Sequence, residues 1–388
     1  MAAIMTKRMR TRASGLPLKN LVVVELGHSV AAPYAGQILG DLGAKIIKIE
    51  KADEGDDARV WGPPFIGKTS ACFWSLNRNK YSVAADLRDK IQVKRLREFM
   101  IEEADVVFQN LRPGSVARLG LSAADLRNRN DKLIYCNLGA FGRRGPLSNR
   151  PAYDPLMQAY GGIMSVTGEE GRPPVRVGVS IVDMAAGMWA VIGILAALNR
   201  RTLTGRGCEV DVSLFESALA WMTVHVANFT ASGELPVRMG SGAVITAPYQ
   251  AFQTQKGYIV IAAGNASLFK KMSIALNHAE WNDDDRFRTN AGRLKNKAAL
   301  VALIESELGK HPPAYWMKRL EQAGVPCAPI QDVRQVIAAK QTQALDILQK
   351  VGGGLQLVGL PVSFDGVRPG LRMPAAKLGQ HNSKLFKA

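Results

Sequence analysis

Cysteine is scarce in this 388-residue chain: Cys72, Cys136, Cys208 and Cys327 stand alone, roughly sixty to a hundred and twenty positions apart. No CxxC and no nearby histidine pair accompanies them, which excludes a tetrahedral zinc site, because such sites draw on closely spaced ligands. The sequence therefore predicts no metal, and buried thiols in a reducing compartment rather than a disulfide framework. Long apolar runs are missing too. The longest, Met184 to Leu198, is too short to span a bilayer and carries Gly187 and Gly193, so it reads as a buried core helix. No GxGxxG follows the first apolar run, which removes the main support for hydride transfer. GxSxG, HExxH and EF-hand patterns are also absent.

Acid is short relative to base. Thirty-three Asp and Glu against 50 Lys and Arg leave a net charge of +17, which asks for a nucleic acid, an anionic membrane or a polyanionic small molecule as partner. The basic residues are spread without interleaved aromatics, which argues against nucleic acid. Only Lys7, Arg8, Arg10 and Arg12 cluster, in the acid-free start MAAIMTKRMRTRAS. Residues 1–16 accordingly read as a flexible extension or as an organelle presequence. The location expected is cytoplasmic, or the mitochondrial matrix if the presequence reading holds.

What remains is the composition of a folded α/β enzyme, with 47% hydrophobic and 21% charged residues and 37 glycines. The length exceeds one ordinary core, so two domains are expected. LVVVEL at 21–26 is a strand buried on both faces; a helix from about Pro33 to Leu42 follows, and KIIKIE at 45–50 is the next strand. Further helices at about 89–103 and 123–129 lead into the strands DVVFQN and KLIYCNL. This alternation predicts a parallel, Rossmann-like sheet over 17–234. Ligands on such sheets lie beyond the carboxyl ends of the strands, here GHSVAAP, EKADEG, QNLRPG and LGAFG. Past Gly233 the pattern changes to a hairpin, YQAFQTQKGYIVIAAGN, and helices from about 268 to 308 and 313 to 323. A smaller α+β domain is expected at 235–330, with 331–388 returning to the large one.

GPPFIGKT at 62–69 fits the phosphate-loop pattern letter for letter. It is rejected because no buried strand precedes it and two prolines remove N–H donors from a loop that must donate them. His28 sits at a strand end, where a helix-entry hydrogen-bonding role outweighs a catalytic one. Among the acids, Asp154 and Asp183 read as helix caps. Glu169 and Glu170 lie in the turn GEEGRPP, either as solvated charges or as a nucleophile among glycines.

Several blocks in order, LVVVELGHSVAAPYAGQILGDLGAKIIKIEK, SLNRNKYSVAADLRD, ADVVFQNLRPGSVARLGL, TGEEGRPPVRVG and GILAALNRRTLTGRGCEVDVSLFE among them, resemble the family III CoA-transferases of the CaiB/BaiF group. APYQAFQTQKGYIVIAAGN is most similar to the branch acting on succinate and glutarate. The resemblance implies two threaded copies forming an interlocked homodimer, with CoA moved from a succinyl-CoA-like thioester to a carboxylic or dicarboxylic acid through an enzyme carboxylate. Acyl-CoA is then a substrate and nothing is bound permanently; neither nucleic acid nor membrane is a partner. Carried over, the CoA site comprises His28, Val30, Ala31, Lys51, Ala85, Arg88, Asn110, Leu111, Arg112 and Arg118. The family's aspartate in TGxxDGxP falls on Gly171, which moves the expected nucleophile to Glu170, then Glu169. Arg176 or Arg238 is the candidate for the far carboxylate of a dicarboxylic substrate, the other reading of either being an ordinary surface ion-pair former. The alternative is a 2-methylacyl-CoA racemase or isomerase using Asp154 and Asp183, although Tyr153 stands where that chemistry places a histidine.

Overall fold

The computed structural model describes residues 15–352 and 354–384; the basic cluster Lys7 to Arg12 lies outside them. The chain divides into two compact units. The larger takes the described residues of 1–163, 176–233 and 341–388. Its frame is a six-stranded sheet of β1 (Val22–Leu26), β2 (Lys45–Lys51), β3 (Lys80–Ala85), β4 (Val106–Gln109), β5 (Ile134–Gly139) and β6 (Glu209–Ser213). The spatial order is β3-β2-β1-β4-β5-β6, with every neighbouring pair parallel. Parallel pairing needs helical crossovers that cover both faces, and all four residues of β4 are buried accordingly.

Its helices include α1 (Ala31–Asp41), α2 (Lys90–Glu102), α3 (Ala123–Arg127), α4 (Asp154–Tyr160), α5 (Ile181–Thr204), α6 (Leu214–Trp221) and α7 (Thr223–Ser232). Asp89 starts α2 by accepting from the Ile91 and Gln92 amides, and Ser122 with Asp125 closes a capping box on α3. Val24, Ile47, Val83, Leu96, Met100, Val107 and Tyr135 share one core. Helix α5 crosses α1 closely enough that a Cβ on Gly187 would lie 2.7 Å from the Ala31 carbonyl oxygen. The tail returns to cover the open edge of β3, where the Asn382 side chain accepts from the Ala84 amide at 2.9 Å.

The second unit comprises residues 164–175 and 234–340. A three-stranded antiparallel sheet, β7 (Tyr249–Gln253), β8 (Tyr258–Ala262) and β9 (Cys327–Pro329), has β8 in the middle. Helices α8 (Ala266–Ala275), α9 (Lys297–Leu308) and α10 (Pro313–Gln322) close a core of Phe252, Ile261, Phe269, Trp281, Ile304 and Trp316. The turn GEEGRPP at 168–174 belongs to this unit.

Some expectations need correction. Helix α5 is 24 residues, longer than its apolar run and long and apolar enough to cross a membrane by length and composition. It is not buried all round: Val182, Ala186, Ala190 and Ile194 face inward, while Trp189 and Ile192 are about half exposed. Only Cys136 is a fully buried thiol, pushed up to about 12 by burial and then by Asp211, whereas Cys72, Cys208 and Cys327 are half-buried. GPPFIGKT ends in a two-residue hairpin pairing Phe65–Ile66 with Thr69–Ser70, preceded by a short 3-10 turn rather than a strand. Strand β3 was not legible as a strand.

Candidate active site at the carboxyl edge of the sheet

The strand order reverses between β1 and β4, and a crevice beyond the carboxyl ends is what such a reversal opens. A cavity of about 1190 Å³ lies there. Its walls come from the loops after β1, β2, β4 and β5, the four strand ends read from the sequence, together with the end of β6. Of the expected coenzyme residues, His28, Ala31, Lys51, Asn110, Leu111 and Arg112 line it. Val30, Ala85, Arg88 and Arg118 are not among its lining residues: Val30 is the N-cap of α1, Ala85 is buried at the end of β3, Arg88 is paired with Asp86, and Arg118 donates to Ser115 Oγ.

Asn110 does not point outward as a generic polar group. Its amide takes the His28 N–H at 3.0 Å and donates to the His28 carbonyl at 2.9 Å, holding the backbone of the first turn from the end of β4. Burial, partly offset by Asp56 and Asp57, lowers the pKa of His28 below the usual imidazole value, so this side chain is neutral near pH 7. Arg112, Arg144 and Arg150 border the cavity without an acid partner among the described residues. The last two were not singled out from the sequence; the signal was GRRG and NR after β5.

Five acids line the cavity: Asp57, Asp183, Glu209, Asp211 and Glu216. Asp57 pairs with Lys51 at 2.9 Å, Glu209 and Asp211 with Arg143, and Glu216 accepts from Ser213 Oγ. Asp183, in the first turn of α5, is the one whose carboxylate has no partner among the described residues. Burial, and then the charge of Asp154, push its pKa up to about 7. Neither aspartate acts as the cap of its own helix. Instead the Asp154 carboxylate, buried on α4, accepts from the Val182 and Asp183 amides at 2.8 and 3.2 Å, supplying α5 with its N-terminal acceptor from outside. Gln158 donates to the other oxygen of Asp154 at 2.6 Å and accepts from the Val177 amide, which fixes the approach to α5. Asp154→Asn removes a like charge from Asp183, so the acid limb of the pH–rate profile is expected to move down by up to about one unit. An unshifted limb in that profile would disprove the coupling.

Glu169 and Glu170 are exposed, belong to the second unit and are not among the lining residues. Glu169 bridges Met239, and its carbonyl accepts from Arg238 Nε at 3.2 Å. Arg238 also donates to the Arg172 carbonyl, so its guanidinium braces the turn, while Arg176 is exposed beside the Val177 and Gly178 carbonyls. No cluster of His, Cys, Asp and Glu able to hold a metal occurs among the described residues.

A doubly wound sheet whose crevice is rimmed by cations and lined by one unpaired acid has the architecture of an α/β enzyme. Comparison with known proteins makes this specific. The model of CoA-transferase family III matches residues 18–382, and the chain belongs to that family. It is 38% identical over 385 residues to acetyl-CoA:oxalate CoA-transferase of Acetobacter aceti, covering 99% of this chain and 98% of the relative. It is 33% identical to succinyl-CoA:glutarate CoA-transferase of Homo sapiens, over 96% of this chain and 85% of the relative. The crystal structure of a CaiB/BaiF family protein from Brucella suis superposes with a TM-score of 0.87 at 38% identity, covering 96% of this chain and 99% of that one. The protein is thus an enzyme, a CoA-transferase, and transfer takes precedence over α-proton exchange.

Proposed function

We propose that this enzyme moves CoA from a short acyl-CoA of the succinyl-CoA type to a dicarboxylic acid, with Asp183 as the side chain that carries the acyl group. The observation that carries the reading is the unpaired Asp183 carboxylate in the cavity, held poised near neutrality. A carboxylate nucleophile must be ionised yet poorly solvated, and a value near 7 supplies both at working pH. The names of the relatives, which pair acyl-CoA donors with oxalate or glutarate, support the dicarboxylic acceptor.

In the first step an Asp183 oxygen attacks the thioester carbonyl; the C–S bond breaks, leaving a mixed anhydride and CoA thiolate. The thiolate then attacks the Asp183 carbonyl carbon, the donor acid leaves as carboxylate, and the enzyme holds CoA as a thioester. The acceptor acid attacks that thioester and the released thiolate attacks the new acyl carbon, returning Asp183 as carboxylate. No proton need be moved, so the neutral His28 serves binding rather than general base catalysis. Lys51, Arg112, Arg144 and Arg150 supply charge for the CoA phosphates, and the N-terminus of α1 at Ala31 adds backbone N–H groups. Phe141 and Phe215, 6.0 Å apart, form an apolar wall for the pantetheine arm.

A second copy of the chain is the proposed cover for the outer face of α5, α6 and α7. Trp189, Trp221, Val224 and Phe229 are exposed there, and α7 buries none of its residues within one chain. Trp189→Glu is expected to weaken the dimer at least ~100-fold, since central aromatic anchors dominate interfaces; sedimentation velocity reads the change, and an unaltered dimer would move the interface elsewhere. A cytoplasmic setting suits the free cysteines. The decisive experiment for the chemistry traps the enzyme with succinyl-CoA and borohydride and maps the modified residue by mass. Modification of Asp183 is expected. A label on Glu170 or Glu169 instead would return the nucleophile to the glycine-flanked turn.

A further inference from the structure

Strands β1, β2 and β3 bury an unusual number of charges on the face beneath α1. Glu25, Lys48, Lys80, Glu50, Asp56 and Arg59 are all at most 6% exposed. Three carboxylates and three cations close the charge, and Gly36 of α1 has no side chain because a Cβ there would strike the Glu25 carboxylate. The inner part is a Glu25 carboxylate paired with Lys48 at 2.8 Å and Lys80 at 2.9 Å. The outer part reaches the cavity. Lys48 Nζ donates to the Gly27 carbonyl at 2.6 Å and pairs with Asp56 at 2.8 Å, and Asp56 accepts from the Ser29 amide at 3.0 Å. Ser29 has φ +73, a left-handed backbone that a serine adopts only when its surroundings impose it. His28 and Ser29 both line the cavity.

We propose that Lys48 and Asp56 are positioning residues for coenzyme binding, clamping the Gly27–Ser29 backbone in the one shape that presents the first turn and the start of α1 to the nucleotide. The inference rests on the CoA reading above. Neither side chain lines the cavity; both act through the turn. Glu25 touches the same network but not the turn, so it separates positioning from stability.

The test compares full-length Asp56→Asn, Lys48→Met and Glu25→Gln with wild type, using free CoA in calorimetry, steady-state kinetics with succinyl-CoA and a dicarboxylic acid, and hydrogen exchange of residues 27–31. Loss of one charge-assisted bond to the turn is expected to raise the Kd for CoA and the KM for succinyl-CoA ~10-fold. The KM for the acid and kcat at saturation stay within about threefold, and exchange quickens at 27–31 but not along β5. Glu25→Gln lowers the melting temperature yet binds CoA like wild type. Glycine tolerates the left-handed region freely, so Ser29→Gly in the Asp56→Asn background restores part of the lost affinity. Where Asp56→Asn does not fold, Asp56→Glu keeps the charge for Lys48 while displacing the oxygen from the Ser29 amide. Equal CoA affinity in wild type and the Asp56 variants, or an equal loss in Glu25→Gln, overturns the inference alone. A wild-type protein that binds no CoA overturns the coenzyme reading and this inference with it.

Discussion

Asp183→Asn lowers CoA transfer roughly a thousandfold or more while leaving the Kd for CoA within a few-fold of wild type. The amide fills the same space but cannot form an anhydride, so the two acyl steps lose their common carrier. The same change stabilises the protein, and with a definite pH dependence. Asp183 has a folded pKa raised from 3.8 to about 7. Between those values the unfolded chain has released this proton while the folded one retains it, so stability falls as pH rises through the window. The penalty is complete above about pH 7 and absent below about pH 4. Three units correspond to at most about 4 kcal/mol, and partial solvent access reduces this to roughly 2 kcal/mol. Asp183→Asn is therefore expected to melt a few degrees higher than wild type at pH 8 and together with it at pH 4. An inactive variant that melts lower at pH 8 would mark Asp183 as a structural residue instead.

That trade between activity and stability is the kind of local violation a sequence reading has trouble locating. Strands β1, β2, β4 and β5 announce themselves as apolar runs because both their faces are covered, and from them the crevice at the carboxyl edge followed directly. Strand β3, KYSVAA, does not, since its inward positions Lys80 and Ser82 carry polar side chains into the buried charge network. Hydrophobic periodicity fails where the core itself is ionic. Asp183 is legible as an acid at the start of a helix but not as an unpaired one: that state depends on Asp154, 29 residues away, taking over the helix amides. The glycine-flanked turn at 168–171 puts Glu170 one place before the family's aspartate position, which is why the sequence alone points there rather than to Asp183. Arg144 and Arg150 gain meaning only when the loop after β5 is seen to border the same cavity as His28.

The second large effect concerns Glu25, whose loss at pH 6.5 is expected to destabilise the protein by about 3–5 kcal/mol, the usual consequence of leaving buried charge uncompensated. Glu25→Ala also opens a hole beneath Gly36, so Glu25→Gln isolates the charge. Two lysines face the lost carboxylate, and they respond differently. Burial works against the charge of Lys48, but Asp56, Glu25 and Glu50 outweigh it and raise its pKa above the usual lysine value; with Asp56 and Glu50 still present it stays protonated. Burial dominates at Lys80, whose pKa is lowered to about 8 even with Glu25 beside it. Without that carboxylate it falls further, and Lys80 sheds its proton inside the fold. Below the variant's Lys80 pKa the full cost of the uncompensated ammonium is felt. Above about pH 8 this lysine is neutral in both proteins, so the pairing it offered wild type no longer counts and the gap between them narrows. Urea unfolding of wild type and Glu25→Gln at pH 6.5 and pH 9 should thus show a difference that shrinks with rising pH. A difference that is constant or grows with pH would mean that Lys80 does not exchange its proton with solvent on losing Glu25, and that the ion network under α1 is held together by packing rather than by charge.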